Sequence, residues 1–387
     1  MTLAAALGLA ACSSDNSTPI GAVPPGQSTV NIENAAATPK PATVTATPAN
    51  GAADVAPKGP ITVTVTDGTI GSVQLTNAEG KAVQGALSAD KRTWTASEAL
   101  GYGKTYTWSG TAAGTGGQQV PINGSFTTAK PRRTEGGHLN VGDNQTYGIA
   151  MPIVLSFDNK VADKASVEKS LKVETSVPTE GSWAWLDDQT VHWRPKEYFK
   201  PNTTVTVTAA LYGTSFGNGV FGKADITSKF TIGRDQRVVG NTQTHRLVVT
   251  RDGQQVWDFP ASFGLDSDPG RVSHSGVHVV MSKHATYKMT NRAYGYENVE
   301  VPWAVRISNN GEFVHGLQAS VPNQGKRNVS HGCANLSPAN AKLYYDSVLM
   351  GDPVEITGSS IQLSAKDGDY YDWTLSWDQW QAKSALK

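Results

Sequence analysis

From Ile61 to Thr128 apolar and polar residues alternate along the chain. Ile61-Thr62-Val63-Thr64-Val65-Thr66 runs into Asp67-Gly68, the pattern of a half-buried strand ending in a turn. The stretch from about 131 to 233 repeats the rhythm. Asp90-Lys91-Arg92-Thr93-Trp94 lies over Asp188-Gln189-Thr190-Val191-His192-Trp193, Thr105–Trp108 over Val205–Thr208, and Ser125-Phe126-Thr127 over Lys229-Phe230-Thr231. A period of about 100 residues predicts a duplicated β-sandwich, with Trp94 and Trp193 as core residues at equivalent places. Trp183, Trp185 and Trp193 alternate in a strand and read as core rather than as a sugar-stacking platform.

The repeat stops at Arg234-Asp235-Gln236-Arg237. Beyond it the pattern predicts a strand from Thr244 to Thr250, a hairpin turn at Arg251-Asp252-Gly253-Gln254, and strands over 255–263 and 276–281. One short helix follows, opened by an N-cap Ser337 and Pro338, with Ala341, Leu343, Tyr344 and Val348 directed to a core. A strand over 352–356 closes the unit. The tail carries Trp373, Trp377 and Trp380 and is therefore expected to dock back on the body, with 359 to about 370 as a looser connection. The fold class is mainly β: immunoglobulin-sized sandwiches at 40–129 and 130–233, a β-rich third unit at 234–358, and a docking tail at 359–387.

Composition agrees with strands and turns, with 39 Gly, 20 Pro and 17% charged residues. Lys plus Arg equals Asp plus Glu, 33 of each, so no long-range field gathers a polyanion and nucleic acid is excluded as a partner. Residues 3–11 form a short apolar run far below the length of a membrane span, ending in Leu9-Ala10-Ala11-Cys12. That text resembles a bacterial lipobox, with residues 1–12 as signal and Cys12 as the lipidated residue; an ordinary signal peptide is the alternative. Residues 13–58 are poor in large apolar side chains and read as a flexible tether, the first strand starting from about 40. The expected location is the cell envelope, on the outer face of the cytoplasmic membrane or secreted, touching the membrane only through a lipid anchor.

The other cysteine, Cys333, lies in Ser330-His331-Gly332-Cys333-Ala334-Asn335, downstream of Phe313-Val314-His315-Gly316. On an extended chain His331 and Cys333 share a face. An imidazole beside a thiol raises its reactive fraction, and amides near Gly332 and Cys333 would hold an oxyanion. Cys plus His suffices for acyl transfer. Zinc held by His274, His278, His315, His331 and Cys333 is a weaker reading, since the spacing matches no common metal motif, and no metal or cofactor is expected. A buried, inert thiol is disfavoured by the polar Ser330, His331 and Asn335.

The pattern His-x14-Ser-His-Gly-Cys-x-Asn resembles the signature of the L,D-transpeptidases, the YkuD-type catalytic domain. Two immunoglobulin-like modules ahead of it and a Trp-rich tail behind it are similar to the mycobacterial members. The resemblance implies a peptidoglycan L,D-transpeptidase with no cofactor. Cys333 would attack the diaminopimelate carbonyl of a tetrapeptide stem, expel D-alanine, and pass the thioester to a second stem as a 3→3 cross-link. It implies His315 as base, His331 as second motif histidine, Gly332 and Cys333 as oxyanion donors, and the Gly316 carbonyl as the group orienting His315. Carbapenem β-lactams would acylate Cys333. Tyr287, Tyr294, Tyr296 and Trp303 would form a lid, with Ser330 and Asn335 also at the substrate. His274-Ser275-Gly276 stands where many relatives carry a Thr-Pro-x-Gly turn. An L,D-carboxypeptidase and a non-catalytic wall-binding scaffold are the alternatives.

Overall fold

The computed structural model describes residues 38–368 and 370–387, so Cys12 and the lipobox lie outside the described residues. The chain is mainly β, as its alternation predicts. The first sandwich joins the sheet Thr43–Thr47, Thr62–Thr66, Thr93–Ala96, Gly85–Leu87 to the sheet Gly68–Asn77, Thr105–Gly114, Gln119–Thr127. Residues 43–58, which composition places in the tether and the 40–129 bounds place in the first sandwich, belong to this fold: Thr43–Thr47 pairs with Thr62–Thr66, and the Val55 amide donates to the Thr127 carbonyl. β-Branched threonines form an edge strand through backbone bonds, which a count of large apolar residues overlooks.

The second sandwich spans Arg133 to Ile232. Trp94 and Trp193 are buried in the two cores, and each lies beside a glycine of the next strand. A Cβ on Gly85 would sit 2.0 Å from the Trp94 ring, and one on Gly181 would sit 1.9 Å from the Trp193 ring. Each indole fills the volume that a side chain there would need. Trp183 and Trp185 are also core, stacked away from solvent.

The third unit faces two sheets across one core. In the first sheet the order is Gln254–Pro260, Arg246–Arg251, Gln236–Asn241, Pro353–Thr357, Gly276–Val279, with Gln236–Asn241 parallel to Pro353–Thr357. The second runs Ser282–Asn291, Tyr296–Arg306, Phe313–Gly316, Ala334–Leu336. Positive φ at Asp252 and Gly253 makes the tight turn between Arg246–Arg251 and Gln254–Pro260. The helix Pro338–Ser347 is capped by the Ser337 hydroxyl, which accepts from the Asn340 amide. It buries Ala341, Tyr344 and, just beyond its end, Val348 against the second sheet, whereas Leu343 is 46% exposed. Leu343 is two residues from Ala341, about 200° around the helix, so the apolar stripe cannot include it.

Arg234 joins the second sandwich to this unit, with Nη1 and Nη2 at 2.9 and 2.6 Å from the buried Asp352 carboxylate. The Gly148 and Ala150 amides donate to the Met350 and Gly351 carbonyls. The tail then crosses back to the second sandwich. Helix Trp377–Gln381 lies on strand Gly181–Trp185, the Trp380 indole donates to the Ser182 carbonyl, and Trp373 donates to Ala150. The Arg194 guanidinium sits 4.6, 5.4 and 4.9 Å from the rings of Trp373, Trp377 and Trp380. The described residues of the 359–370 stretch are not a loose connection. The Ser275 amide donates to the Ile361 carbonyl and the Ser275 carbonyl accepts from the Leu363 amide, and Asp367 closes a capping box with Ser364 while its carboxylate meets His274 at 2.6 Å.

Candidate active site

Parallel pairing of Phe313–Gly316 with Ala334–Leu336 sets His315 opposite Asn335. Cys333, two positions before Asn335, comes to the same face as His315, and both open into one cavity of about 360 Å³. The chain through 331–333 is a bend, not the extended strand expected from sequence, because Gly332 takes φ +111°. His331 reaches the cavity by this turn rather than by strand alternation. The Ser273 hydroxyl donates to the Gly332 carbonyl at 2.6 Å, and the Ser330 hydroxyl donates to the Cys333 carbonyl at 2.6 Å. With both carbonyls held, the amides of Gly332 and Cys333 donate to no acceptor among the described residues.

His315 is buried, and its Nδ1 lies 3.0 Å from the Gly316 carbonyl. A carbonyl only accepts, so Nδ1 carries the proton and Nε2 keeps its lone pair. Burial pushes the imidazole down to about 4, partly opposed by that hydrogen bond. The Cys333 thiol packs among Val301, Ala304 and Phe313 and points at the Gly311 carbonyl, 3.7 Å away. Burial pushes it up to about 12; the Phe313 amide and Arg306 pull it down, and Glu312 pushes it up. Burial thus works against the activation by an imidazole that the sequence suggests. Both groups are neutral because neither charge is solvated.

The expected lid residues divide. Strands Ser282–Asn291 and Tyr296–Arg306 form a long hairpin whose Tyr294 and Tyr296 rings lie 5.1 and 5.2 Å from the His331 ring. Tyr296 also lines the cavity. Tyr287 is not at the opening: it packs on Phe313, and its hydroxyl accepts from Arg306. Trp303 faces away, its ring 5.4 Å from Tyr345 and 4.9 Å from the Lys342 ammonium on the helix. Its φ of +57° turns the strand locally, which a period-two reading does not anticipate. Ser330 and Asn335 both line the cavity, Asn335 with an unpartnered Oδ1. His274 and His278 lie outside it; the first meets Asp367, and the second is held by the His274 carbonyl through Nε2.

Sequence reasoning missed the apolar wall of Met289, Val299, Val301 and Leu317. It missed Arg271, which binds the Val329 and Ser330 carbonyls, and Glu312, buried behind the Gly332 turn. Glu312 carried a signal: an acidic side chain directly before the buried run Phe313-Val314.

A two-sheet unit thus brings a cysteine, an imidazole whose Nε2 keeps its lone pair and two disengaged amides to one cavity, the set of groups that acyl transfer requires. Residues 235–356 match the model of the L,D-transpeptidase catalytic domain, and 52–215 match that of a bacterial Ig domain, a stretch beginning in the first sandwich and ending in the second. The chain is 49% identical to L,D-transpeptidase 5 of Mycobacterium tuberculosis, over 88% of this chain and 76% of the relative. It is 36% identical to L,D-transpeptidase 2 of that organism, over 88% and 85%. The structure of LD transpeptidase LdtMt1 in complex with imipenem aligns with TM-score 0.50 and 32% identity, over 58% of this chain and 99% of that one. The chain belongs to the L,D-transpeptidase family.

Proposed function

We propose that this protein is a peptidoglycan L,D-transpeptidase of the cell envelope that forms 3→3 cross-links through a thioester on Cys333. Cys333 Sγ attacks the carbonyl of the third residue of a donor tetrapeptide stem while its proton passes to His315 Nε2. The oxyanion is received by the amides of Gly332 and Cys333. The C–N bond to D-alanine then breaks, and His315 returns the proton to the leaving amine. The side-chain amine of diaminopimelate on a second stem attacks the thioester, gives its proton to His315, and the Cys333 thiol is restored. A carbapenem ring opens on the same sulfur. The observation that carries this reading is the shared cavity of Cys333 and His315, with two amides left unengaged. Cys333→Ala is incubated with a disaccharide-tetrapeptide, and products are weighed by mass spectrometry. Cross-linked dimer from the wild type and none from the variant is expected; undiminished dimer formation by the variant refutes the proposal.

A further inference from the structure

Behind the turn that presents Cys333 lies a buried acid with no role in the steps above. Glu312 is 4% exposed and His278 is fully enclosed. Glu312 Oε1 accepts from the His274 amide at 2.7 Å, leaving Oε2 without a partner. His278 Nε2 donates to the His274 carbonyl at 2.9 Å, so the neutral ring presents a bare lone pair at Nδ1. That Nδ1 is also unpartnered, and it lies 3.7 Å from Glu312 Oε2. Two acceptors facing each other in a dry pocket repel. A proton on Glu312 Oε2 removes that repulsion.

This pair adjoins the nucleophile on two sides. Glu312 directly follows Gly311, whose carbonyl receives the thiol, and its Cγ lies 3.5 Å from where a Cβ on Gly332 would sit. We propose that Glu312 is a positioning residue: with His278 it holds one proton behind the Gly332 turn, and loss of that proton sets a negative charge against Cys333 that slows attack. This rests on Cys333 being the nucleophile. Burial raises the carboxyl to about 7, so the proton is exchanged near neutrality. The other groups around the pair are the His274 ring, engaged with Asp367 and Asn310, the Ile307 carbonyl beside the His278 ring, the Ser308 hydroxyl, and Arg306, which lies over the Phe313 ring and favours the thiolate.

Glu312→Gln imitates the protonated acid permanently, since its oxygen can accept from His274 and its NH₂ donate to His278. The readout is alkylation of Cys333 by iodoacetamide, located by peptide mass, from about pH 5.5 to about pH 8.5. The variant and wild type should react alike at the acid end. At the alkaline end the variant should be faster by about tenfold, the effect of one pK unit on thiolate fraction. The wild-type log rate should also bend below unit slope near neutrality. A rate ratio constant with pH, or a wild-type line of unit slope throughout, overturns the proposal. Glu312→Met, also uncharged, replaces the amide variant if that one does not fold. Alkylation needs only the thiol, so a missing imipenem adduct on Cys333 would count against the transpeptidase reading and leave this test intact.

Discussion

Gly332→Ala separates backbone geometry from packing at the centre of the site. The backbone there has φ +111°, a region costing a side-chain-bearing residue about 1–3 kcal/mol. The new methyl group meets nothing closer than Glu312 Cγ at 3.5 Å and the Val272 carbonyl at 3.7 Å, so crowding adds little. Alanine also restricts the unfolded chain, returning about 0.4–1 kcal/mol. The net loss of stability should be about 1–2 kcal/mol. Activity should suffer more. To relieve φ the turn must rotate against the Ser273 and Ser330 hydroxyls that hold its carbonyls, and the two free amides turn with it. Misplacing one such donor costs about a hundredfold in rate, on the order of 3 kcal/mol in the transition state. Urea unfolding gives the first quantity, and the rate of Cys333 acylation by imipenem, followed by intact mass, gives the second. Acylation within about threefold of wild type would show that these amides do not receive the oxyanion. A stability loss above about 4 kcal/mol would show that the turn is packed differently.

Trp380→Ala removes a fully buried indole from the tail and should cost about 3–5 kcal/mol, read by denaturant unfolding, with Arg194 left without one of its three rings; a change below about 1 kcal/mol would mean the tail is not docked. His315 titrates at about 4 in the folded chain, against about 6.5 when unfolded, so its contribution is intact above about pH 6.5 and is lost as pH falls toward 4, by up to about 3 kcal/mol. Unfolding measured across that window should be steeper for wild type than for His315→Asn, and identical slopes would contradict the burial of a neutral ring.

The period-two alternation marked the sandwiches because most of their strands bury one face, and Asp252-Gly253 marked its turn because both residues adopt positive φ readily. The Cys-His text located the chemistry because few residue types perform it. Four things were hidden for physical reasons. Threonine-rich residues 43–47 hold their place by backbone bonds, invisible to a hydrophobicity count. Tyr287 and Trp303 share a hairpin with Tyr296, but Tyr287, paired with Val301 on the cavity-facing side, sits farther along over Phe313, and the positive φ at Trp303 turns that ring to the helix. The neutrality of Cys333 and His315 follows from burial by residues distant in sequence, among them Val301 and Ala304 at the sulfur. Glu312 and His278, 34 positions apart, meet only because Gly276–Val279 and Phe313–Gly316, the strand that Glu312 directly precedes, belong to facing sheets.

The path of the last thirty residues gives this enzyme a mechanical character. One end is fastened at Asp367 to His274, whose amide grips Glu312 behind the nucleophile; the other is clasped by Arg194 and by Glu168, which accepts from the Ala385 amide. The second sandwich is thus tied to the back wall of the cavity through the tail as well as through Arg234.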